Sequence, residues 1–386
     1  MSVLNVALLL LVVAAAVSIL AERLSFPYTI ALVITGLVVG NLHLVPHFAV
    51  SPEVLLTFFI PPLLFEGGLR LPPEHLRSYG WLIGLLAIPG TVIVAFAIGG
   101  TAAAAFHLNL RSALLLGAIA SAIDPVSVIA LTRETGLDTR LGAILEGEAV
   151  LNDGVAIVLF TVTAGGLAGG LAAAAWQFLW LLAGGIVIGT VVAAAVAYAL
   201  RRTYQSSVEA LGSLIAALGS FLAADTLGAS GVIAVVMAGV VFGSYGLRLF
   251  TDAGQNTVCT LWDVVAFVAN SVLFLLIGLQ VPIVLLVHHA GLIAAVVLAA
   301  LAGRAATVYG FSAVGGALSR PIPSGWRALL TWSGLRGGVA IALVLGLQQG
   351  LPGRDAVMAG TFGLVVFTLL GQGLSARSLV RRAALA

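Results

Sequence analysis

Charge is what this sequence has least of. Only 8% of its 386 residues are Asp, Glu, Lys or Arg, against about 25% in an ordinary soluble domain. Lysine is absent altogether, so all 17 basic residues are arginine. A single cysteine, Cys259, excludes an internal disulfide framework and a zinc site built on cysteines. There is no phosphate-binding P-loop, no HExxH and no GxSxG, which removes the usual grounds for an ATP-driven pump or a hydrolase. The expectation is a protein that is not an enzyme and holds no cofactor. A formal net charge of +2 gives no reason to expect nucleic acid as a partner.

What is present is grease. Hydrophobic residues make up 61% of the chain and the mean hydropathy is +1.17. Apolar runs long enough to cross ~30 Å of hydrocarbon recur from end to end. A membrane β-barrel would show short alternating segments instead. The expected fold is therefore an all-α polytopic membrane protein. Thirteen crossings are read, near 3–20, 25–41, 53–69, 79–104, 112–131, 141–167, 174–199, 207–226, 230–246, 258–280, 286–315, 326–349 and 355–376. The first run, from Val3 to Leu20, has no basic segment before it and no small-residue cleavage site after it, and is read as a retained helix. The loops are short, so residues 1–386 are expected to form a single transmembrane domain with no soluble domain.

Orientation follows from the arginines. With the N-terminus outside, thirteen of them fall in cytoplasmic loops and tail, from Arg23 and Arg70 to Arg381 and Arg382, and two, Arg111 and Arg354, fall outside. That bias predicts N-out and C-in in the cell membrane. The pairs Arg201–Arg202 and Arg381–Arg382 are also placed to touch anionic lipid.

Arg304 and Arg336 remain, inside expected helices, together with Glu66, Asp124, Glu146, Glu148, Asp153 and Asp225. Each charge at the bilayer centre costs about 2.5–3.5 kcal/mol on the insertion scale. Structural pairing accounts for any one of them. It fails for the set, because six acids cannot all be neutralised by two arginines. The surplus points to carboxylates that bind protons or metal cations.

Two segments combine charge with helix breakers. In AIASAIDPVSVIAL (118–131), Pro125 removes a backbone donor and biases Asp124 away from helical geometry. In LLTWSGLRGGVAIALVL (329–345), Gly334, Gly337 and Gly338 surround Arg336 and permit unwinding. These are the fifth and twelfth crossings, which run in opposite directions and correspond if helices 1–6 and 8–13 are two inverted repeats. Broken helices at corresponding midplane positions mark the site of an inverted-repeat transporter. Between them runs EGEAVLNDGVAIVLF (146–160). Glu146 and Asp153 lie within about 20° of each other, and Asp153 reaches about 18 Å into the membrane. Asp124 and Asn152–Asp153 are thus expected to converge, and a proton and a metal ion would compete for the same carboxylates.

PPLLFEGG (61–68), AIDPVSV (122–128), LEGEAVLNDGVAIVLF (145–160), SGVIAVVMAG (230–239), NSVLFLLIGLQ (270–280) and WSGLRGGVAIAL (332–343) together resemble the monovalent cation:proton antiporters, and within them the NhaP/NHE-type sodium/proton exchangers. The resemblance runs over nearly the whole chain. It implies an NhaA-like fold and a homodimer. A dimerisation half covers about 1–70 and 207–280, and an elevator-like core covers about 79–167 and 286–376. It implies Asp153 as ion carrier with Asn152 as its partner, and Asp124 as a second ligand at the crossing. Ile123, Pro125, Gly334, Gly337 and Gly338 supply the broken-helix backbone. It further implies support pairs Glu148–Arg304 and Glu66–Arg336. An asparagine before the aspartate, and an arginine that keeps its proton at position 304, suggest electroneutral one-for-one exchange serving pH and salt homeostasis.

The chain departs from the family pattern where Ile123 and Ala149 replace hydroxyl residues, which leaves sodium, lithium and potassium all open as the cation. A channel built on the same charges is the alternative function, and an aspartyl protease using Asp124 and Asp153 a more distant one. Asp225 is expected away from the site. The histidines and most tryptophans are read as interfacial residues.

Overall fold

The computed structural model describes residues 3–24, 26–42, 58–135, 137–166, 169–281, 283–318 and 322–383. Residues 53–57 of the third expected crossing, with His43, His47 and Arg320, lie outside them. The described residues are helical with short turns and contain no strand. Among the described residues, eighteen α-helices follow one another: α1 Val3–Arg23, α2 Tyr28–Asn41, α3 Ile60–Arg70, α4 Pro73–Leu85, α5 Thr91–Phe106, α6 Leu110–Ser121, α7 Pro125–Thr135, α8 Thr139–Gly165, α9 Gly170–Leu200, α10 Ser206–Thr226, α11 Gly231–Val241, α12 Asp252–Gln280, α13 Ile283–His288, α14 Ala290–Leu318, α15 Ser324–Trp332, α16 Gly338–Leu345, α17 Arg354–Val366 and α18 Leu374–Ala383. By length and composition, 8 helices among the described residues suffice to cross a membrane, and Tyr28–Asn41 is a shorter apolar helix.

The ends of these helices are set by local chemistry. Side chains of Asn109, Asp138, Ser230 and Thr251 each accept from a backbone N–H in the first turn of the helix that follows, which satisfies donors a helix start leaves open. Thr251 explains why α12 starts at Asp252, six residues before the expected 258. The eleventh expected crossing is also not one helix, because a turn at His289 separates α13 from α14.

Packing sorts the helices into two groups. In the first, α2 and α3 pack on α12 and α11, with α10 alongside. Gly36 of α2 and Gly278 of α12 let two backbones meet. A Cβ on Gly36 would stand 2.3 Å from the Leu275 carbonyl oxygen, so close approach replaces side-chain packing, as membrane helices favour. Trp262 is a correction to the interfacial reading of the tryptophans. It is buried, its ring lies 4.4 Å from that of Phe65, and its Nε1 donates to Ser213 Oγ at 2.9 Å. The indole N–H needs an acceptor once buried, and Ser213 on α10 provides it. Trp176 and Trp180 do lie exposed on α9.

In the second group, α5 packs on α6 and α14, α17 on α14 and α6, and α4 and α7 on α8. Two of its members are broken. The fifth crossing is interrupted between α6 and α7, the twelfth between α15 and α16. The two groups meet where Leu273 of α12 fills the space beside Gly338, the first residue of α16.

Candidate functional site

The site is built where the two breaks cross. Residues 122–124 and 333–337 are unwound, and Asp124 N donates to the Leu335 carbonyl at 2.8 Å, joining the two extended stretches. Pro125 opens α7, where its missing N–H costs nothing. Asp124 caps the same helix, its Oδ2 accepting from Ser127 N at 2.8 Å. Gly338 differs from the expectation. It is already helical, and its missing side chain makes room for Leu273 rather than permitting unwinding. Gly334 lies in the unwound stretch beside Arg304, and Gly337 lies against the Asp124 carboxyl group.

A broken helix leaves carbonyls without partners at the end of its first half. Both buried arginines answer that need. Arg336 donates through one guanidinium nitrogen to the carbonyls of Ser121, at 2.5 Å, and Ala122, at 2.8 Å, closing α6. Arg304 donates to the Leu330 carbonyl through Nε at 3.0 Å and a terminal nitrogen at 2.8 Å, closing α15. Arg304 also forms a two-pronged ion pair with Glu148 of α8, one prong at 2.9 Å. The fork of the guanidinium, rather than its charge alone, makes this double duty possible.

Asn152 orients the crossing from α8. Its Oδ1 accepts from Ile123 N at 2.6 Å and its Nδ2 donates to Thr91 Oγ1 at 2.5 Å. Thr91 Oγ1 in turn donates to the Ala87 carbonyl at 2.5 Å. Next along α8, Asp153 is different. It is 2% exposed, yet its Oδ1 has no hydrogen-bond partner among the described residues. Asp124 and Arg336 lie close enough to act on it electrostatically.

Asp124, Glu148, Asp153, Arg304 and Arg336 are all at most 6% exposed. Counted as ionised, three carboxylates stand against two guanidinium groups, and one negative charge is left over. One bound proton or one monovalent cation balances it.

One expectation is corrected. Glu66 does not partner Arg336. It pairs with Arg70, four residues along the same helix, and Arg70 also pairs with Asp263 of α12. Arg70 is a neighbour on the helix surface, while the guanidinium of Arg336 is taken up by carbonyls of the broken helix. Glu146 accepts from Thr132 Oγ1 at 2.6 Å and so ties α8 to α7. Asp225 lies exposed in the last turn of α10, away from the crossing.

Residues 8–382 match the transmembrane sodium/hydrogen exchanger family. The chain belongs to that family. It is 38% identical to the Na+/H+ antiporter ApNhaP of Aphanothece halophytica, over 97% of this chain and 74% of that protein. It is 33% identical to the Na+/H+ antiporter NhaH of Halobacillus dabanensis, over 97% and 96%. The solved structure of the sodium proton antiporter MjNhaP1 from Methanocaldococcus jannaschii superposes with a TM-score of 0.83 at 20% identity, covering 98% of each chain. That likeness establishes the fold.

Within this family member, sequence reasoning missed Thr91, Thr368 and Glu209. Thr91 follows Pro89–Gly90, and this break in an apolar run was the available signal. Thr368 Oγ1 accepts from Arg336 N at 3.0 Å, and nothing local to Thr368 announces that. Glu209 is fully buried in the first turn of α10 and accepts from Thr251 N and Oγ1 at 3.3 and 3.2 Å. It therefore sets a negative charge at the positive end of α12.

Gly337 supports a direct test. Its φ of −156° lies outside the left-handed region that favours glycine. An added Cβ, however, would stand 2.5 Å from Asp124 Cγ. Gly337→Ala is expected to displace Asp124, costing about 1–3 kcal/mol by overpacking, and to slow transport at least about tenfold. Cation-driven proton flux in reconstituted vesicles, normalised to folded protein, checks this. A parental rate in the alanine variant would mean that Asp124 need not be held where the structure places it.

Proposed function

We propose that this chain is a secondary antiporter that exchanges one monovalent cation for one proton, with Asp153 as the carrier and Asp124 as a further ligand. The observation that carries the reading is the single uncompensated negative charge in the buried cluster at the crossing. A site with one such charge alternates between a protonated form and a cation-bound form. Both are neutral overall, and that supports electroneutral one-for-one exchange. Sodium is the first candidate, because the relatives above are named Na+/H+ antiporters; lithium and potassium meet the same oxygen donors. No resident cofactor is required, and the cation is cargo.

The α2–α3–α10–α11–α12 group supplies a fixed half, taken as about 1–70 and 207–280. The broken-helix group, about 79–167 and 286–376, supplies a core that slides past it. The seam at Leu273 and Gly338 is the surface on which it moves. Exposed apolar side chains on α1 and α12, among them Leu8, Val12, Val264 and Phe267, suit a homodimer face or lipid. The arginine bias supports N-out, C-in placement in the cell membrane, with a role in pH and salt homeostasis. Arg201, stacked 3.5 Å from the Tyr198 ring, is placed for contact with anionic lipid headgroups.

The test is proton efflux from acid-loaded proteoliposomes on external addition of sodium, lithium or potassium. Efflux is expected only with a transported cation, and to be indifferent to an imposed membrane potential. Efflux without any cation would replace the antiporter with a proton-conducting channel. A rate that follows the potential would overturn the one-for-one stoichiometry.

A further inference from the structure

A small cavity lies between α14, the α15–α16 break and the wide helical turn at Phe367–Gly373. Its polar wall is formed by Arg304, Thr331, Gly334, Arg336, Thr368 and Gln372. Two of these residues carry an atom with no hydrogen-bond partner among the described residues: Arg336 Nε, a donor, and Gln372 Oε1, an acceptor. Both side chains are almost completely buried. Left unmade, each group costs about 1–3 kcal/mol. The cavity has room for a water molecule, and buried waters typically satisfy two to four polar groups of this kind.

The wide turn already holds Arg336 by its backbone, through Thr368 Oγ1. Gln372 stands four residues further on, on the same side of the turn. We propose that Gln372 is a positioning residue, which anchors the Arg336 guanidinium through one bridging water and so keeps that cation from moving onto Asp153, where it would compete with the transported ion. The proposal rests on the reading of Asp153 as carrier.

Arg304, Glu148 and Asp153 lie close enough to act electrostatically on Arg336. Glu148 is engaged by Arg304, so the unengaged pull on Arg336 comes from Asp153. Without an anchor on the cavity side, only the bonds to the Ser121 and Ala122 carbonyls hold the guanidinium against that pull.

The test compares Gln372→Leu and Gln372→Glu with the parent in proteoliposomes at fixed pH, measuring the apparent KM for the cation and the maximal rate separately. Gln372→Leu removes the acceptor and is expected to raise KM about fivefold, with the maximal rate changed by less than about twofold. Gln372→Glu keeps an acceptor and adds a counter-charge, so its KM is expected at or below the parental value. Should the leucine variant not fold, Gln372→Met takes its place with the same expectation. Parental KM in both variants, or a loss of maximal rate alone, would overturn the proposal and leave Gln372 a packing residue. Asp153→Asn in the same vesicles keeps the two readings apart. Coupled exchange surviving in that variant would remove Asp153 as carrier whatever Gln372 does.

Discussion

Asp153→Asn is expected to abolish cation-coupled proton movement while leaving the folded protein at least as stable as the parent. The amide has nearly the shape of the carboxyl group, so packing of α8 is preserved. It cannot ionise, so the buried cluster loses the one negative charge that Arg304 and Arg336 do not balance. A cation entering the site then has no counter-charge. Removing one partner of a buried charge pair costs about 2–5 kcal/mol, and ~3 kcal/mol is more than a hundredfold in rate or affinity. Stability moves the other way or not at all. Asp153 Oδ1 makes no hydrogen bond among the described residues, so no bond is lost, and a buried ionisable group is exchanged for a neutral one, which relieves a cost of about 2.5–3.5 kcal/mol where the group is charged. Flux in vesicles together with thermal unfolding in detergent decides this. Retained exchange would move the carrier elsewhere. Lost exchange with a falling unfolding temperature would assign Asp153 a structural duty instead.

The second large effect belongs to Glu148 and Arg304, and it has the opposite character. Here the pair is satisfied: two prongs join the side chains, and Arg304 also closes α15 through the Leu330 carbonyl. Breaking a buried pair from one side leaves an uncompensated charge and costs about 3–5 kcal/mol. Glu148→Ala and Arg304→Ala are therefore expected to reduce the yield of folded protein severely, with any folded fraction unfolding at lower temperature. Arg304→Ala should be the worse, because it also leaves the end of α15 without donors. The exchanged pair Glu148→Arg with Arg304→Glu restores the attraction but not the donors to Leu330. Partial rescue is the expected result, read as folded yield and unfolding temperature. No rescue would remove the ion pair as the source of stability, and full rescue would remove the helix-closing role of Arg304.

Much of the site was legible because buried charge in a lipid-facing sequence is costly enough to be informative by itself. Asp124, Asn152, Asp153, Glu148, Arg304 and Arg336 stood out against apolar neighbours, and Pro125 and the glycines around Arg336 marked the breaks. Partners were less legible than participants. Glu66 was expected at Arg336 from resemblance, whereas the nearest cation to Glu66 is Arg70 on its own helix. Gly338 was read as an unwinding residue, although its role is to admit Leu273. Trp262 had the composition of an interfacial residue and proved to be core, since only its neighbours Phe65 and Ser213 reveal where it points.

The sequence alone determined that the chain is a bundle of membrane helices, that two of them break beside charge, and that acids outnumber arginines within the expected crossings. These are local properties: hydrophobic run length, a proline that cannot donate, and the cost of a charge in hydrocarbon. Only the tertiary structure decided which carbonyl each arginine closes, that Thr91 and Thr368 hold the crossing, and that Asp153 Oδ1 stands unpartnered among five buried charges. Those facts depend on which helix lies beside which, and the contacts joining Arg304 to Glu148 and Arg336 to Ser121 span 156 and 215 residues of chain. No pattern of neighbours in sequence encodes them, because they exist only once the broken helices have crossed.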